Sequence, residues 1–94
     1  MTSYIARVEI SGGDASEYKK LHESMESIGF KRTIFGDNGK ESELPTGTYV
    51  SNTPDSIDSV RGKIQRVASA VSDKTPQIIV CSFDRWSGYL TPAS

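Results

Sequence analysis

The sequence predicts an α+β fold with elements in the order β-α-β-β-α-β. Three observations predict it. Residues 4–10 alternate apolar and polar side chains, two later stretches repeat apolar residues at three- and four-residue steps, and residues 77–83 read as an apolar run. The 94 residues are expected to form one domain, with its core in 4–83 and a tail over 84–94. A chain of this size buries only roughly 60–65% of the surface that its unfolded form exposes, so most apolar residues must serve that one core.

Each element has a local reason. In the first strand Tyr4, Ala6, Val8 and Ile10 share one face, while Ile5, Arg7 and Glu9 share the other. Ser11-Gly12-Gly13 breaks the alternation. Asp14 and Glu17 then have the spacing of a capping box, and Tyr18, Leu21, Met25 and Ile28 form a helical stripe behind it. Gly29 is placed to close that helix, with Phe30 folding back against it. Lys31 to Phe35 reads as a short second strand, and Asn38-Gly39 marks the turn after it. Leu44 to Ser51 reads as a third strand, paired with the second in a hairpin, although Pro45 and Gly47 predict an irregular start.

Thr53 or Asp55 is expected to cap a second helix carrying the stripe Ile57, Val60, Ile64, Val67, Ala68 and Val71. Gly62 lies within that helix at a cost of up to about 1 kcal/mol relative to Ala. Gln77 to Phe83 is expected to be a central or well-covered strand, with Cys81 as a small buried hydrophobe. The tail adds a fifth short strand or packs beside the fourth. Two amphipathic helices with right-handed crossovers then give the ferredoxin-like arrangement, a four-stranded antiparallel sheet with both helices on one face.

Composition narrows the function. Eleven Lys and Arg face twelve Asp and Glu, for a formal net charge of −1. That balance excludes a protein that grips nucleic acid by bulk charge and leaves room for a local basic patch. One cysteine excludes an internal disulfide, and Cys81 with His22 cannot supply a four-ligand zinc site. No metal or cofactor is expected. No apolar stretch is long enough to span a membrane, and Met1 to Tyr4 lacks the features of a signal peptide, so the cytoplasm is the expected location. No P-loop, dinucleotide glycine fingerprint or nucleophile elbow is present.

The candidate chemistry centres on His22, whose unperturbed pKa is the one side-chain value near neutrality. It sits roughly 90° from the centre of the first helix's apolar stripe, at the boundary of core and solvent. Glu26, one turn on, is placed to hold the imidazole, and Lys19 is nearby. A histidine so placed can do acid–base work on a ribose 2′-hydroxyl; the plain structural reading is a surface histidine with an ordinary helical partner. Arg7, Lys31 and Arg32 are the cations placed to stabilise a phosphorane. Arg61, Lys63 and Arg66 on the second helix read as a solvated face. Tyr49 alone does not make the aromatic platform of an RNA-recognition motif. Trp86 and Tyr89 can stack on bases or meet a partner, or act as lids of the core.

The segments Tyr4 to Val8, Leu21 to Glu26, Gly29 to Ile34 and Leu44 to Thr46, followed by Tyr49, resemble the GhoS-like family. These are small endoribonuclease antitoxins of type V toxin–antitoxin systems. The resemblance spans most of residues 4–83 and implies a ferredoxin-like fold akin to a CRISPR adaptation nuclease. It also implies cleavage of the single-stranded messenger of a small membrane toxin. In the family's best-known member an arginine on the first helix is implicated in activity, and counting back from Gly29-Phe30 that position falls on His22. The catalytic aspartate that the CRISPR relatives place after the first strand is missing, since Ser11-Gly12-Gly13 stands there.

The expectation is thus a metal-independent endoribonuclease, with His22, Glu26, Arg7 and Arg32 as catalytic residues and Lys19, Lys31, Trp86 and Tyr89 as RNA contacts. The alternative is a non-catalytic interaction module, such as a phage-encoded inhibitor of host defence, that covers a protein target. It would use an open sheet face, an edge strand and the C-terminal aromatics. Two free sheet edges also make a homodimer plausible.

Overall fold

The computed structural model describes residues 1–93. In chain order the elements are β1 (Thr2–Ile10), α1 (Ala15–Ser27), β2 (Thr33–Phe35), β3 (Glu41–Glu43), β4 (Thr48–Thr53), α2 (Ile57–Val71), β5 (Pro76–Ser82) and β6 (Thr91–Pro92). They form two three-stranded antiparallel sheets, β4-β1-β5 and β2-β3-β6.

β1 is the middle strand of the larger sheet. Its alternation does what the sequence predicts: Tyr4, Ala6, Val8 and Ile10 are all buried, while Arg7 and Glu9 are exposed on the opposite face. Leu21 and Met25 of α1 and Val60, Ile64 and Ala68 of α2 join those β1 residues in one core, so both helices cover the same face.

The ends of α1 form as their sequence signals indicate. Asp14 accepts from the Glu17 amide at 2.9 Å, and the Glu17 carboxylate accepts from the Asp14 amide at 3.2 Å. At the other end the Gly29 amide donates to Glu26 O at 3.0 Å and the Phe30 amide to Met25 O at 2.9 Å. This is the Schellman closure, and it requires the left-handed backbone that Gly29 adopts at φ +87°. The cap of α2 is different from the expected one. Ser56 caps it, accepting from the Ser59 amide. Thr53 and Asp55 are spent one step earlier: Asp55 bonds Lys63 at 2.6 Å, its carbonyl accepts from Tyr4 Oη at 2.7 Å, and its amide donates to Thr53 Oγ1.

Three expectations about the strands are corrected. The continuous four-stranded sheet does not form, because the strand expected over Leu44 to Ser51 starts only at Thr48, and a separate strand, β3, forms ahead of it at Glu41–Glu43. Thr48 N donates back to Pro45 O at 2.9 Å, a turn around Thr46 and Gly47. β3, before the turn, pairs with β2 and β6; β4, after it, pairs with β1. The hairpin after Asn38-Gly39 is therefore β2-β3, not β2 with residues 44–51. What remains of the expected contact between the second and third strands is one bridge, Lys31 to Val50, with two 2.9 Å hydrogen bonds.

The run at 77–83 is an edge strand, not a covered one. Ile78 and Val80 turn toward the core, whereas Ile79 is 62% exposed and Cys81 is exposed rather than buried. An antiparallel sheet with helices on one face leaves its other face to solvent, and Cys81 lies on that face opposite Ile5. The tail does return as a short strand, but beside β3 rather than beside β5.

Two glycines separate backbone need from helix cost. Gly47 has φ +83°, and a Cβ there would lie 2.5 Å from Val8 O and 2.7 Å from the Arg7 guanidinium. Gly62 has open space where its Cβ would stand. In urea unfolding, Gly47→Ala is expected to lower stability by more than about 1 kcal/mol. Gly62→Ala is expected to raise it by up to about 1 kcal/mol.

Candidate functional site

The closure of α1 at Gly29 tucks Phe30 into the core and brings Lys31 and Arg32 out beside the helix. The Lys31–Val50 bridge holds that segment to the larger sheet. Across from it stand His22 and Glu26, one turn apart on α1. The result is a depression of about 350 Å³ whose lining includes His22, Glu26, Lys31, Arg32, Glu43 and Thr46.

The geometry of His22 differs from the sequence expectation. Its Nδ1 lies 2.6 Å from Tyr49 Oη, so the residue that holds the imidazole is Tyr49 and not Glu26. The two rings lie 5.7 Å apart at 57°. Tyr49 is fully buried on β4, and burial pushes its phenol up to about 12, so the hydroxyl keeps its proton at neutral pH. A phenol both donates and accepts, and it can therefore meet either tautomer of the imidazole. Burial, and then the Arg32 cation, hold the His22 pKa below its ordinary 6.5. His22 is thus a half-buried imidazole whose neutral form is favoured, with Nδ1 engaged by Tyr49 and the residue lining the depression.

In the sequence Tyr49 stands only as a lone stacking ring and as part of the family resemblance, not as the partner of His22. β4 pairs with β1 so that Tyr49 stands opposite Ala6. Ala6 is the small side chain in an inward row otherwise made of Tyr4, Val8 and Ile10, and a small residue there is the one trace of the space the ring needs.

The structure brings together four of the expected residues, His22, Glu26, Lys31 and Arg32. It places the others elsewhere. Arg7 lies on the solvent face of β1, outside the depression, where its guanidinium donates to Thr46 O at 2.7 Å. Through that bond it holds a loop that lines the depression. Lys19 is exposed on α1 and lines neither this depression nor the next. Trp86 lines a second depression, reached past Lys31, which lines both. Tyr89 is fully exposed and lines neither. Among the described residues no three His, Cys, Asp or Glu side chains converge to hold a metal ion, and no helix is long and apolar enough to cross a membrane.

Comparison with known proteins adds a family to this geometry. The family model described as "Endoribonuclease GhoS" matches residues 1–88. The chain is also similar to YdiZ of Escherichia coli (strain K12), described as an uncharacterized protein. The two are 22% identical over 87 residues, covering 93% of this chain and 91% of YdiZ. The YdiZ protein of Escherichia coli O157:H7 matches to the same extent.

His22 is the sole histidine, so its imidazole signals in a proton NMR titration are unambiguous. Their midpoint is expected below 6.5, and Arg32→Gln is expected to move it upward by removing the neighbouring cation. Folding favours the neutral ring. The stability tied to it is complete above the unfolded value near 6.5 and is lost as pH falls from there through the folded midpoint.

Proposed function

The chain belongs to the GhoS endoribonuclease family, and on that premise we propose that it cuts single-stranded RNA at the His22 depression without a metal ion. As in the antitoxins that it resembles, the substrate would be the messenger of a partner toxin. The observation that carries this reading is the pairing of a neutral His22 with buried Tyr49, beside Arg32. A base held by a third group next to a fixed cation is the constellation that ribose-assisted cleavage needs.

In this reading Nδ1–H donates to Tyr49 Oη and Nε2 bears the lone pair. Nε2 takes the proton of a ribose 2′-hydroxyl, and the 2′-oxygen attacks the adjacent phosphorus. The bond from phosphorus to the 5′-oxygen breaks, and that oxygen takes a proton from water. The products are a 2′,3′-cyclic phosphate and a 5′-hydroxyl. Arg32, with Lys31, meets the charge that develops on the non-bridging oxygens, and the planar guanidinium suits two of them at once. Glu26 and Glu43 line the same depression and repel phosphate, which confines the backbone to the Lys31–Arg32 side. Arg7 acts through the Thr46 loop as a positioning residue.

Purified protein is expected to cut unstructured RNA in EDTA and to leave 2′,3′-cyclic phosphate ends. His22→Ala is expected to lose about 10²-fold or more in rate, the usual scale of acid–base catalysis. Arg32→Gln is expected to lose about 10²- to 10³-fold. Because the base is the neutral ring, the acid limb of kcat/KM is expected below pH 6.5. Unchanged cleavage by folded His22→Ala would overturn the proposal.

A further inference from the structure

We propose that the seam between the two sheets is a base-stacking subsite for the same RNA strand, fed by the His22 depression through Lys31. The inference rests on the ribonuclease reading and names a path for the substrate's bases. The seam forms a second depression of about 590 Å³ whose lining includes Lys31, Phe35, Val50, Asn52, Phe83 and Trp86. Phe35 is 61% exposed and Trp86 is 40% exposed, although both are large apolar side chains. Phe83 is half-buried and lines the same seam.

These rings are held by the backbone. Phe35 ends β2 with its neighbour Ile34 turned inward, so alternation turns the ring outward. The Phe83 amide donates to Ser3 O at 3.0 Å, which ties the exit of β5 to the start of β1. After Trp86 the chain is tied again, to the other sheet, where β6 pairs with β3 and the Ala93 amide donates to Glu41 O at 3.1 Å. The segment carrying Trp86 is thus anchored at one end to each sheet, and Trp86 stands at their junction.

Several features favour a nucleic-acid strand as the occupant. Exposed aromatic faces beside a cation are what successive bases and phosphates require. Lys31 lines both depressions, so a phosphate at its ammonium would have its ribose toward His22 and its base toward Phe35 and Trp86. Asp84, next to Phe83 in the chain, also lines the seam, and its carboxylate disfavours phosphate beside the rings, which sets the same polarity of backbone and base. Stacking is tolerant of base identity, so this subsite would hold the strand without dictating its sequence.

Trp86 is the sole tryptophan, and its emission therefore reports the seam directly. The probe is a 2′-O-methylated single strand of roughly 8 nucleotides, which binds but lacks the hydroxyl needed for cleavage. It is expected to quench Trp86, while the same backbone without bases does not. By anisotropy of a labelled strand, Phe35→Ala and Trp86→Ala are each expected to weaken binding about 5- to 100-fold. Trp86→Phe, which keeps a ring, is expected to retain most of the affinity and controls for folding.

Equal binding of the abasic strand, or wild-type affinity in both alanine variants, would overturn the subsite. Cleavage of unmodified RNA is measured in parallel. If wild type cuts RNA while the alanine variants bind normally, the subsite fails and the ribonuclease reading stands. If the seam binds bases and no cleavage occurs, the subsite stands and that reading fails. Absence of both binding and cleavage overturns both.

Discussion

β1 is hydrogen-bonded along both edges, to β4 on one side and β5 on the other, and it divides the larger sheet into a dry face and a wet face. Everything that positions the depression is attached to it. Ala6 leaves room for the Tyr49 ring on the dry side. Val8 N bonds Gly47 O at 2.7 Å, and Arg7 bonds the neighbouring Thr46 carbonyl from the wet side. The same few residues therefore hold the phenol that holds His22 and the loop that forms the opposite wall. A change in the register of β1 by one residue would exchange its faces and remove both supports together.

The electrostatics follow from depth more than from charge count. His22 sits where α1 passes from core to solvent, deep enough for burial to lower its pKa and shallow enough to line the depression. Tyr49 is deeper and stays a phenol. The cations stand where the chain leaves the Schellman closure, with their neighbours Phe30 and Ile34 buried as anchors. A net charge of −1 is compatible with this arrangement because acids elsewhere serve caps and surface pairs, as Asp14 and Asp55 do. Two cations at one helix exit give the depression a local cationic side, balanced within the same lining by Glu26 and Glu43.

The parts legible in the sequence are those set by local chemistry. The box at Asp14 and Glu17, the closure at Gly29, the alternation of β1 and the stripe of α2 all depend on residues a few positions apart. So does the clustering of His22, Glu26, Lys31 and Arg32, which share one helix and its exit. The parts that were not legible depend on partners far along the chain. Whether Glu41–Glu43 belongs with β4 or with β2 is decided by the turn at Pro45–Thr48 and by the tail that returns to β3. Whether Cys81 is buried is decided by what covers its face of the larger sheet, and both helices cover the opposite face. Tyr49 meets His22 across 27 positions, through a pairing with Ala6 that no local pattern encodes.

The division into two sheets has an evolutionary consequence. None of β2, β3 and β6 contributes a residue to the main core, which is built from β1, β4, β5, the two helices and Phe30. The small sheet is joined to that core by the Lys31–Val50 bridge and its flanking chain, yet it supplies Glu43 to one depression and Phe35 to the other. Substitutions there change the lining of both depressions while leaving the main core untouched. A lineage with this architecture can therefore vary the walls of its depressions at the small sheet and keep one core scaffold.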